Sequence, residues 1–251
     1  MRIVSNLVNW RQAGRTACFI ALATALTLWL PTSASAQVKH YPLETTDGLR
    51  LHNVRAEPVV LHGKKGLRIT FSGDTEQFKG LTREELAKAH ARVPHYAVIE
   101  GLEFSDGVIE AEIAGAPEAG APATARGFVG IAFRLQNGAY EAFYLRAING
   151  RAEDQEQRNH ATQYVSHPDW TWFRLRTETP SKYESYVDLQ PDVWTKVRIE
   201  IRGERARLYV HDQEQPTLIV NDLKSGAQGK GAVALWIDIG TAAHFRNLTA
   251  R

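Results

Sequence analysis

Apolar and polar residues alternate over several short stretches of this chain. Within Trp194-Thr195-Lys196-Val197-Arg198-Ile199-Glu200-Ile201-Arg202 every second residue from Val197 on is apolar, and Arg205–Val210 resumes the rhythm after Gly203-Glu204. Residues 108–113 alternate behind the turn Ser105-Asp106-Gly107, and 232–237 and 243–248 form a last pair around Gly240. Period two places one face of a strand in a core and the other in water. One helix interrupts this pattern. Thr82 precedes Arg83-Glu84-Glu85-Leu86-Ala87-Lys88-Ala89, with Glu85 three residues on and Pro94 beyond. A capping residue, its acidic partner and strong helix formers predict one short helix near 82–91. Many hairpins with little helix predict an all-β fold, a two-sheet antiparallel β-sandwich or jelly roll.

The segments 129–135 and 140–146 flank Asn137-Gly138, a strong hairpin signal. A two-residue turn pairs residues whose numbers sum to 275, which sets Arg134 opposite Glu141. A bulge lowers the sum to 274. Ile131, Phe133, Phe143 and Leu145 then share the core, and Arg134, Tyr140, Tyr144 and Arg146 point away from it. Turn chemistry favours the first register and apolar pattern the second. A one-residue slip exchanges the faces, so both stand as alternatives.

Two stretches lack apolar rhythm: 115–127, rich in Pro, Ala and Gly, and 149–161, rich in charged and amide side chains. Long polar loops inside a compact domain are usually functional or mobile. Residues 170–176 alternate again, and as a strand they set Trp170, Trp172, Arg174 and Arg176 on one face.

Composition changes the picture at the N-terminus. Residues 2–15 carry Arg2, Arg11 and Arg15 and no acid, 17–30 are almost wholly apolar, and Ala34-Ser35-Ala36 precede Gln37. This is the layout of a secretory signal peptide, cut after Ala36, and its apolar run is too short to span a bilayer. The expected product is a single domain over 37–251, periplasmic or secreted, with no membrane span. Without 1–36 the chain holds 27 basic and 28 acidic residues and neither Cys nor Met. That excludes disulfides, thiolate metal sites and cysteine nucleophiles. It also leaves no bulk basic field for nucleic acid.

The run Trp194-x-x-Val197-x-Ile199-x-Ile201-x-Gly203-x-x-Ala206-x-Leu208-Tyr209-Val210 resembles the paired strands of laminin-G-like domains in the concanavalin A-like lectin/glucanase superfamily. Within that superfamily, residues 41–249 are most similar to the 3-keto-disaccharide hydrolase-like domains of exported bacterial proteins. The resemblance implies a jelly roll whose concave face holds a carbohydrate ligand or substrate. It does not decide between enzyme, lectin and adhesion module, because fold does not fix function. Laminin-G-like domains sometimes bind calcium, but no carboxylate-rich loop here demands it. His160, His167 and Asp169 have no metal-ligand spacing, so neither metal nor cofactor is expected.

The polar groups after the hairpin carry the candidate chemistry. Sugars call for flat aromatics against C–H faces and planar donors for hydroxyls. Arg134, Glu141, Tyr144, Arg146, Asn149, Arg151, Arg158, Gln163, Trp170, Trp172 and Arg174 are the expected binding groups. The paired carboxylates of superfamily glucanases are missing at their usual strand spacing. A keto group at C3 acidifies the neighbouring C–H, so one base can start elimination of a glycosidic oxygen. His160 is the candidate base and Tyr164 the candidate proton donor, with Arg146 and Asn149 on the oxyanion or hydroxyls. The alternative is a non-catalytic, lectin-like binding module.

Overall fold

The computed structural model describes residues 37–121 and 125–251. The expected signal peptide and the centre of the 115–127 stretch lie outside the described residues. The chain opens with β1 (Lys39–Tyr41), β2 (Leu49–His52), β3 (Val54–Leu61) and β4 (Lys64–Phe71), followed by helix α1 (Arg83–Arg92). Next come β5 (Tyr96–Phe104), β6 (Gly107–Pro117), β7 (Phe128–Gln136) and β8 (Ala139–Arg146). Short helix α2 (Gln155–Asn159), β9 (Thr162–His167), helix α3 (Trp172–Glu178) and β10 (Glu184–Ser185) follow. The chain ends through β11 (Thr195–Arg202), β12 (Arg205–Val210), β13 (Leu218–Val220), β14 (Gly231–Ile237) and β15 (Thr241–Ala250).

These strands form two antiparallel sheets. One has the order β13-β12-β11-β6-β15-β4-β3, with β1 also on β15, and the other β10-β9-β8-β7-β14-β5-β2. The inward faces meet in one core. Leu67, Ile109, Ile113, Ile199 and Phe245 come from the first sheet, and Ile99, Ile131, Phe133, Phe143, Tyr164 and Leu235 from the second. The fold is thus the predicted sandwich. The predicted helix is α1, with Thr82 and Glu85 closing a reciprocal capping box.

Two expectations change. Residues 170–176 are not a strand. Thr171 is buried and accepts from the backbone N–H of Arg174, which starts α3 one residue later. Trp172 and Leu175, three apart, turn toward the core, and this helical spacing overrides the alternation. The second change concerns 115–127, whose first residues extend β6 as far as Pro117.

The hairpin contains both registers. Gln136 pairs with Ala139 (sum 275) around a turn in which Asn137 and Gly138 both have positive φ, as a type I′ hairpin turn requires. Phe133 pairs with Glu141 and Ile131 with Phe143 (sum 274). The shift falls on Arg134 and Leu135, with Arg134 at φ 54°. The bulge therefore lies in β7, and it sends Arg134 inward. Its guanidinium donates to the carbonyls of Ser105, Gly203 and Gly226, to Ser225 Oγ and to Asp106, and lies 3.7 Å from Glu141.

Candidate functional site

The outer face of the second sheet carries one continuous row across all seven strands. His52, Tyr96, Trp236, Gly130, Tyr144, Gln163 and Glu184 are successive register partners. Gly130 stands between two large aromatics. With no side chain on β7, the rings of Tyr144 and Trp236 close over it and stack at 4.8 Å. A Cβ at Gly130 would lie 2.3 Å from the Phe143 carbonyl and 2.6 Å from Tyr144 Cβ.

Beside this floor is a cavity of about 1000 Å³. Leu86 and His90 of α1 line it, as do Trp172 and Arg176 of α3, Phe128 and Arg146 of the sheet, and Asn149 and His160. Arg83, Arg126, Phe71 and Phe78 complete much of the wall, with Asp238 and Glu118 beyond.

Two imidazoles on this wall are each held by a carboxylate. His90 Nδ1 lies 2.8 Å from Asp238 Oδ1. Burial lowers the His90 pKa, but the Asp238 charge and hydrogen bond outweigh it, and the net shift is upward from 6.5. Asp238 is itself held well below the usual carboxylate range: burial raises it, and His90 and His95 lower it further. His160 Nδ1 lies 2.5 Å from Glu184 Oε2. Here burial dominates and Arg176 and Arg146 add to it, so despite Glu184 the net shift is downward. On His90 the Asp238 hydrogen bond at Nδ1 selects the Nδ1–H tautomer and leaves Nε2 as the reactive nitrogen. On His160 both ring nitrogens are buried and neither makes a hydrogen bond.

Glu184 ends the seven-residue row and is almost wholly buried. Arg176 donates to both its oxygens, and Arg146 lies 3.7 Å away. Arg146 Nη1 also donates to the His160 carbonyl at 2.7 Å, and Asn149 Nδ2 donates to the same oxygen at 3.1 Å. Its Nη2 donates to Tyr144 Oη and Gln163 Oε1. Arg146 and Asn149 therefore clamp His160 rather than offering all their donors to a ligand.

Of the residues expected from the sequence, the cavity collects Arg146, Asn149, His160 and Trp172. Tyr144 and Gln163 are buried supports beneath it. Tyr164 pairs in register with Phe143 on the core face, so it is not a proton donor to this cavity. Its hydroxyl donates to Glu141 Oε1 at 2.7 Å, and burial with that carboxylate pushes its pKa far up. Arg134, Glu141 and Trp170 line a second, smaller cavity of about 420 Å³. Trp170 is no open stacking platform, because Arg174 lies 3.8 Å and Lys224 Nζ 4.6 Å from its ring centre. Arg174 also pairs with Glu178. Arg151 is exposed and paired with Asp188, and Arg158 packs on Tyr186. His167 is buried against Tyr140 Oη, and burial pushes its pKa down to about 3.

Sequence reasoning passed over His90, Asp238, Glu184, Arg83 and Arg126. One signal was available: Leu86 and His90, four apart on a helix, share one face. No metal-binding cluster occurs among the described residues, and no helix there is long and apolar enough to cross a membrane.

No family model and no curated protein matches the chain. Among solved structures it is similar to a carbohydrate-binding module from Bacillus subtilis, with 13% identity, a TM-score of 0.48, and coverage of 81% of this chain and 96% of that one. A Bacillus subtilis protein of unknown function with a galectin-like fold gives 11% identity and a TM-score of 0.49, covering 85% and 94%. A Bacillus licheniformis β-glucanase gives 10% identity and a TM-score of 0.42, covering 86% and 98%. The likeness is one of fold.

Proposed function

We propose that the cavity takes a glycoside and acts on it by general acid–base chemistry, with His160 as base and His90 as acid. The observation that carries this reading is that two carboxylate-held imidazoles line one cavity with pKa values displaced in opposite directions. Environments that push two titrating groups apart assign the acid and the base. His160 gives up its proton more readily than a free imidazole and serves as base once its ring, whose nitrogens are both buried, turns toward the cavity, and His90 holds its proton to higher pH.

The substrate class this chemistry suits is a 3-keto-glycoside. The C3 carbonyl acidifies the C2–H bond. His160 takes that proton, and the electron pair forms an enolate that spreads onto the C3 oxygen. The pair then returns to form the C1–C2 double bond as the C1–O bond breaks, and the leaving oxygen takes the proton from His90. Arg146 and Arg176 together carry one more charge than Glu184 neutralises, which favours the enolate. Asp238 and Glu184 hold the two rings in position. The protein acts outside the cytoplasm once residues 1–36 are removed.

Incubation with 3-keto-glucosides and their parent glucosides tests this. Release of the aglycone from the keto forms only, lost in His160→Ala, supports the reading, and its persistence in that variant sinks it. A lectin-like role is the second reading. The aromatic groups Phe71, Phe78, Phe128 and Trp172 on the cavity wall favour it. Binding of an unmodified glycan with no turnover of any keto form would select it.

A further inference from the structure

The cationic groups of the cavity are unevenly placed. Arg83, the first residue of α1, has its guanidinium carbon 5.3 Å from the centre of the Trp172 ring. Arg176 of α3 lies 5.0 Å from the same ring. Arg146 shares Glu184 with Arg176. This wall thus gathers three guanidinium groups, and Glu184 is the one carboxylate within ion-pair distance of any of them among the described residues. Of the acids elsewhere on the wall, Glu156 is exposed to solvent and the other three have partners. Asp238 holds His90, Asp154 caps α2, Glu156 lies 3.8 Å from His160 Nε2, and Glu118 lies 3.9 Å from Arg68.

The three arginines differ in what they have left to give. Arg146 and Arg176 spend donors on Glu184, the His160 carbonyl, Tyr144 and Gln163. Among the described residues Arg83 has the Trp172 ring as its contact and neither a carboxylate nor a carbonyl. A guanidinium presents a planar fork that matches a carboxylate or sulfate with two parallel hydrogen bonds. The neighbouring indole holds Arg83 and Arg176 through cation–π contacts and so fixes where the Arg83 fork stands.

Taking the cavity as a glycoside site, we propose that its substrate carries an anionic substituent, a carboxylate or a sulfate, and that Arg83 selects for it. Arg83 is a specificity-determining residue here and takes no part in proton transfer. Since it is exposed, its attraction for the anion is screened by salt.

The test uses titration calorimetry on the chain from residue 37 with three matched tetrasaccharides: a neutral glucan, its C6-carboxylate form and its O-sulfated form. Wild type, Arg83→Gln and Arg205→Gln are compared at low and high salt. Arg205 is an exposed residue at the start of β12, in the opposite sheet, and controls for general charge loss. At least one anionic form binds tenfold or more tightly than the neutral one. That preference falls several-fold in Arg83→Gln and in high salt and survives in Arg205→Gln. The two anionic arms show whether carboxylate or sulfate is preferred. No binding of either anionic form, equal affinity across the panel, or equal losses in the two variants overturns the proposal. Turnover of neutral keto-glucosides with no anionic preference would overturn it and leave the acid–base reading standing. Anionic preference without any keto-glycoside turnover would do the reverse.

Discussion

Nδ1 of His90 lies 2.8 Å from Oδ1 of Asp238, two residues that stand 148 positions apart in the chain. The pair ties α1 to the end of β14 and makes the fold sensitive to pH in two windows. The His90 pKa is raised on folding, so its contribution to stability is complete below pH 6.5 and is lost as pH rises through the folded value. The Asp238 pKa is lowered, so its contribution is complete above its ordinary 3.8 and is lost as pH falls toward the depressed value. Asp238→Asn should cost about 1–3 kcal/mol, the range for a buried partner left unmatched. The cost should be larger at pH 6 than at pH 9. In the variant, burial acts on His90 alone and its titration should fall below 6.5. Urea unfolding at the two pH values and NMR titration of the His90 ring check both statements.

Gly130→Ala should destabilise by about 1–3 kcal/mol, as overpacking at a rigid site does. The added carbon meets the backbone carbonyl of Phe143, which cannot yield without breaking the β7–β8 pairing. It also wedges beneath the stacked Tyr144 and Trp236. Thermal unfolding measures the loss, and a change in tryptophan fluorescence should accompany it. An unchanged spectrum would mean that the stack does not depend on the glycine.

Arg134→Met should cost about 3–5 kcal/mol, because it leaves the buried Glu141 carboxylate without its cationic partner. The same change removes the donors that draw the turns at Ser105, Gly203 and Gly226 together. Arg134 does not line the main cavity, so the folded variant should bind ligand as wild type does. Denaturation combined with a binding titration separates the two effects.

Much of this was legible in the chain, and the rest had definable physical reasons for being hidden. The clean alternation in 194–202 and 205–210 became β11 and β12, and the Thr82/Glu85 pair became the cap of α1. In the hairpin, turn chemistry and apolar pattern pointed to different registers because each is correct over its own half. The bulge that joins them places Arg134 at a positive φ, where a glycine is the usual signal. At 170–176 the period-two pattern competed with a cap at Thr171 and three-residue spacing, and helix won. Arg146, Asn149, His160 and Trp172 were found because they lie close together in sequence. His90 and Asp238 were not, because only the tertiary fold brings α1 and the end of β14 to the same cavity, nor was Glu184, which reaches it only through His160 and Arg176.

The most direct measurement is the pH profile of 3-keto-glucoside cleavage for wild type, His160→Ala, His90→Gln and Glu184→Gln. The base must be unprotonated and the acid protonated, so the wild-type profile should be a bell. Its acid limb should fall below pH 6.5 with His160, and its alkaline limb above pH 6.5 with His90. His160→Ala should lose about a hundredfold or more in rate, the usual scale for a general base. His90→Gln should lose the alkaline limb, and Glu184→Gln should move the acid limb lower because it removes a charge that favours the imidazolium. A wild-type protein that leaves every keto-glucoside intact, or a His160→Ala variant with full turnover and an unchanged bell, would contradict the account.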